Sequence, residues 1–124
     1  MGTIQKITCK SCGNSWQCHT GCGLRHSGLE AVSGLFPEPV RAEIRGVLQR
    51  EMFPAFDFEF RIAYCPSCNS FESVPALDLR DGRFYTGVCD TCGREVKLAE
   101  TIEKMHCPSC GGQSLAVLPT GHWD

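Results

Sequence analysis

The sequence predicts a small, β-rich α+β fold: antiparallel hairpins strung between paired-cysteine knuckles, with one amphipathic helix. Three observations carry that expectation. Eight of the ten cysteines in the 124-residue chain fall in four C-x-x-C pairs. The segments between the pairs contain short alternating runs and turn signals, as strands and hairpins do. One segment, 40–52, places its apolar residues at helical spacing.

Residues 3–8, Thr-Ile-Gln-Lys-Ile-Thr, read as a short strand that feeds the first pair, Cys9 and Cys12. Gly13 follows it, a residue that lets the backbone turn with positive φ. Residues 14–36 read as irregular, with glycines at 21, 23, 28 and 34. Pro37-Glu38-Pro39 then opens a helix, because proline is tolerated in a first turn. Val40, Ile44, Val47, Leu48 and Met52 form its apolar stripe, Arg41, Glu43, Arg45, Gln49 and Arg50 lie off it, and Pro54 ends it. Gly46 weakens this helix by ~1 kcal/mol relative to Ala.

Residues 56–64 alternate: Phe56, Phe58, Phe60, Ile62 and Tyr64 face one side, Asp57, Glu59 and Arg61 the other. This strand runs into Cys65 and Cys68. Residues 71–79 and 83–88 flank Asp81-Gly82, a hairpin turn signal. Cys89 and Cys92 follow, then a short strand pair over 95–99 and 101–106, then Cys107 and Cys110. Residues 114–118 read as a last apolar strand and 119–124 as a tail. The expected division is a first knuckle module with an inserted helix over 1–80, a second over 81–118, and that tail, or else one compact domain.

Composition excludes several classes. Charged residues are 21% and hydrophobic ones 42%, which fits a folded chain and not a disordered one. No apolar run is long enough to span a membrane. The net charge of −2 gives no electrostatic footprint for non-specific nucleic-acid binding. Residues 1–10 lack a basic stretch followed by an apolar segment, so no export signal is read there and a cytoplasmic location is expected. In that compartment thiols stay reduced, and C-x-x-C spacing points to metal ligation instead of disulfides. Two cysteines two residues apart can turn both sulfurs onto one ion around a tight turn.

Four pairs make two four-thiolate sites. The ligand-spacing rule favours sequential pairing: Cys9 and Cys12 with Cys65 and Cys68, then Cys89 and Cys92 with Cys107 and Cys110. Fourteen residues separate Cys92 from Cys107, room for two strands and a turn. The 52 residues between Cys12 and Cys65 are tolerable because loop-closure entropy grows slowly with length. A rival arrangement pairs Cys65/Cys68 with Cys89/Cys92 across the Asp81-Gly82 turn and leaves Cys9/Cys12 to Cys107/Cys110 or to Cys18/Cys22. Cys18, His19, Cys22 and His26 stand outside the four pairs and are candidates for a third metal site. The plain alternative is buried or free thiols with surface histidines.

The knuckles at Cys89-x-x-Cys92-Gly93 and Cys107-Pro108-x-Cys110-Gly111 resemble those of zinc ribbons and of small rubredoxin-type modules. Residues 7–68 resemble the CpXC family, small proteins of uncharacterised function, through an early C-x-x-C, a Pro-Glu-led helix and a Cys-Pro-x-Cys. The zinc-ribbon resemblance implies two bound zinc ions, with iron as the alternative and a third ion if Cys18, His19, Cys22 and His26 also bind. A four-thiolate zinc is closed to substrate, so no enzyme is expected. The expected role is structural zinc supporting a protein–protein interaction, as a small subunit of a larger complex. The alternatives are a nucleic-acid-binding ribbon, a metallochaperone and a rubredoxin-like electron carrier. Gly121-His122-Trp123-Asp124 and the helix stripe are candidate contact surfaces for the unidentified protein partner, although the stripe packing onto the Phe56/Phe58/Phe60 face is the simpler reading.

Overall fold

Alternation becomes strand where the sequence shows it most clearly. The computed structural model describes residues 2–23 and 28–123. β1 (Gly2–Cys9) is the expected first strand, and β2 (Ser15–Thr20) turns back against it with Ile4 opposite His19. α1 (Leu29–Ser33) and α2 (Val40–Arg50) precede β3 (Asp57–Cys65) and β4 (Ser70–Asp78). β5 (Phe84–Thr86), β6 (Lys97–Leu98), a 3₁₀ turn at Ile102–Lys104 and β7 (Leu115–Trp123) complete the chain.

The strands form two antiparallel sheets, ordered β2-β1-β7 and β5-β4-β3-β6. β1 thus lies beside β7, so the two ends of the chain share one sheet. The first core sits between the sheets. Ile7, Cys18, Ile62, Phe71, Ile102 and Leu115 are buried there, together with Cys9 and Cys107, the leading cysteines of the first and last pairs. The second core sits under the helices: Leu29, Val32, Phe36, Ile44 and Val47 pack with Phe58, Leu77 and Leu79. The helix stripe therefore covers the phenylalanine-rich strand, as the simpler reading had it. Met52 departs from that stripe, because α2 stops at Arg50 and Met52 is 85% exposed.

Three local expectations change. Residues 14–36 are not wholly irregular: Trp16, Cys18 and Thr20 alternate with Ser15, Gln17 and His19 on β2, a strand masked by reading its cysteine as a ligand. Residues 101–106 contain a 3₁₀ turn instead of a strand, and β6 pairs with β3, Ala63 opposite Leu98. The strand expected over 114–118 continues to Trp123, held by β1 and by the Trp123 indole N–H donating to the Thr20 carbonyl at 2.9 Å. No helix among the described residues is long and apolar enough to cross a membrane.

Candidate metal centres

All four C-x-x-C pairs adopt one local design. The first cysteine ends a strand or an extended segment and is buried; the second lies on the turn and is more open. In each, the residue after the second cysteine donates its backbone N–H to the first cysteine's carbonyl: Gly13 to Cys9, Asn69 to Cys65 and Gly93 to Cys89 at 2.8 Å, Gly111 to Cys107 at 2.9 Å. That residue takes a positive φ each time, between 54° at Asn69 and 77° at Gly13. Glycine fits this conformation without a Cβ penalty, which explains three of the four. Backbone N–H groups also point at sulfur, Cys68 to the Cys65 Sγ at 3.4 Å and Gly112 to the Cys110 Sγ at 3.4 Å. Such donors favour thiolate over thiol.

The fold brings the knuckles together in twos. Site A holds Cys9, Cys12, Cys107 and Cys110; site B holds Cys65, Cys68, Cys89 and Cys92. The favoured sequential pairing is therefore corrected to the rival one. Its physical reason is sheet topology: β1 beside β7 carries the first knuckle to the last. The β3–β4 hairpin ends in the second knuckle, where the chain returns after β5. Site A closes across 94 intervening residues and site B across 20, a difference of about 1.4 kcal/mol in closure cost, which does not prevent the longer span from closing.

The sulfur separations are 3.6 Å for Cys9–Cys110, 3.8 Å for Cys12–Cys107, 3.6 Å for Cys65–Cys92 and 3.7 Å for Cys68–Cys89. A tetrahedral zinc with Zn–S bonds of about 2.3 Å requires sulfur–sulfur edges of about 3.8 Å. Both groups match that size. Thiol acidity responds to the crowding. The Cys12 backbone N–H holds the Cys9 thiol down to about 6 against the opposing effect of burial. The neighbouring sulfurs of Cys89 and Cys92 push Cys68 up to about 12. At Cys110 the Gly112 N–H pulls downward, but the Cys9 sulfur, burial and the remaining sulfurs prevail and raise it to about 11.

Polar side chains lock the knuckles to one another. Within site A, Ser11 donates to Ser114 at 2.9 Å and the Asn14 amide to Ser109 at 2.5 Å. Within site B, Arg94 reaches Ser67 at 3.3 Å. Between the sites, Tyr64 donates to the Asn69 Oδ1 at 2.6 Å, and the Asn69 Nδ2 donates to the Pro108 carbonyl. Ser11, Ser67 and Ser109 share one position, just before the second cysteine of their pairs, and Asn69 stands where the other knuckles have glycine.

Cys18, His19 and Cys22 join neither group, and among the described residues the metal-competent groups are sites A and B. Cys18 is 2% exposed, and burial pushes its thiol up. His19, next on the strand, stacks edge-on against Phe60 and Trp123. Cys22 is exposed, and His26 lies outside the described residues. No family, curated protein or solved structure matches the chain, so the zinc-ribbon likeness rests on this knuckle geometry.

Proposed function

We propose that the protein is a non-catalytic, zinc-ribbon-like metal protein whose two structural zinc ions rigidify a protein-binding surface. The carrying observation is the pair of four-sulfur groups with edges of 3.6–3.8 Å. Four thiolates complete a tetrahedral zinc and leave no position for a reacting water. Structural zinc of this kind contributes directly to folding. A reducing compartment, the cytoplasm, suits ten free thiols.

A protein partner is favoured over nucleic acid by what the surface offers. Met52 and Phe53 are 85% and 90% exposed just beyond α2, and β7 presents Leu118. Exposed large apolar residues side by side suit a protein contact. Several arginines are engaged already: Arg45 with Glu38, Arg80 with Asp57, Arg83 with Asp81. Arg41 donates to the Phe36 and Gly34 carbonyls.

Metal analysis of the purified chain tests the reading. It predicts two zinc ions, a colourless protein, and unfolding when a chelator removes them. A red or brown, reversibly reducible protein would place iron and electron transfer there instead. A fold that survives complete metal removal would deny the structural role.

A further inference from the structure

We infer that Asn69 is a positioning residue that couples the two metal sites, so that filling site B prepares site A to bind. The inference rests on the reading of both groups as metal sites.

Asn69 departs from its equivalents. Gly13, Gly93 and Gly111 occupy the same knuckle position with φ of 77°, 73° and 76°, and Asn69 holds a φ of 54° there. A side chain is disfavoured in that region, although asparagine tolerates it better than most residues. Its amide is used at both ends. The oxygen accepts from the Tyr64 hydroxyl, which leaves the nitrogen to donate to the Pro108 carbonyl. Pro108 lies between Cys107 and Cys110, the two ligands that the last knuckle gives to site A. The second knuckle of the chain, a site B element, thus holds a site A element by its backbone. Tyr64 is itself packed against the core between the sheets, so the link is anchored.

Loop closure sets the order in which the linked sites fill. Site B closes across 20 residues and site A across 94, which favours site B by about tenfold before any contact is counted. Once an ion fixes Cys65 and Cys68, Asn69 is fixed with them, and its amide presents the Pro108 carbonyl with a placed donor. The last knuckle then meets Cys9 and Cys12 with less freedom left to lose. A hydrogen bond of ordinary net worth corresponds to about fivefold in site A affinity.

Asn69→Gly is the decisive variant, because glycine is what the other three knuckles use and the turn tolerates it. Zinc affinity of each site is measured by chelator competition in the full chain, with cobalt absorption as an independent readout of thiolate ligation. Wild type, Asn69→Gly, Cys68→Ser and the double variant are compared. The expected result is that Asn69→Gly weakens site A about fivefold and leaves site B unweakened. Cys68→Ser, which disables site B, weakens site A as well, and by less once Asn69 is already glycine. Tyr64→Phe, which frees the amide, shifts site A in the same direction. An unchanged site A in Asn69→Gly overturns the inference, and so does a loss confined to site B, the mark of a purely local turn residue. Failure of both sites to bind any ion in wild type would instead overturn the metal reading beneath it.

Discussion

Cysteines that differ only in their place on a turn end up with different acidities. The Cys9 thiol is held down to about 6, chiefly by the Cys12 N–H. Cys68 and Cys110 are pushed up, to about 12 and about 11, and a metal that binds thiolate must displace protons from such thiols. Binding at either site therefore releases protons, and apparent affinity rises with pH. Zinc titration calorimetry at neutral pH in two buffers of different ionisation enthalpy is expected to show net proton release at both sites. Heats independent of the buffer would contradict it. The eight cysteines that cluster and the positive φ at Gly13 were legible residue by residue, since spacing and a positive-φ requirement are local properties. Asn69 was not, because its partner Pro108 lies in a distant knuckle. Of the two readings of Cys18, its burial in the core between the sheets matches the small apolar residue.

Helix α2 and the residues that follow it divide packing from exposure. Ile44 and Val47 are buried against Phe58 and Leu77, whereas Met52 and Phe53 lie past its last turn in the open. Ile44→Ala is expected to cost about 2–5 kcal/mol in urea unfolding of the metal-loaded protein. Phe53→Asp is expected to change stability by less than about 0.5 kcal/mol. A large stability loss for Phe53→Asp would show that the residue belongs to the core and not to a contact surface. The helical stripe and the alternation of β3 were plain in the sequence, because each repeats over several residues. β2 was hidden by its cysteine and histidine. The 3₁₀ turn at Ile102–Lys104 was read as strand because a ribbon was expected between Cys92 and Cys107.

The whole molecule is organised by which knuckles meet. Local spacing could not choose between pairings, since 14-, 20- and 52-residue gaps are all compatible with a shared ion. The choice follows from β1 lying beside β7, a contact between the ends of the chain that no local pattern reports. Site A gathers the first and last knuckles, which β1 and β7 bring together, and site B gathers the knuckle of the β3–β4 hairpin with the one after β5. Sheet pairing, two cores and two four-sulfur groups able to hold a metal converge on one arrangement, which is how a chain of this size can hold together. The most direct test of that arrangement is through-bond NMR on wild-type protein loaded with an NMR-active cadmium isotope. One cadmium is expected to correlate with the β-protons of Cys9, Cys12, Cys107 and Cys110, and the other with those of Cys65, Cys68, Cys89 and Cys92. A cadmium that correlates with Cys9 and Cys65 together, or with Cys92 and Cys107 together, would contradict it.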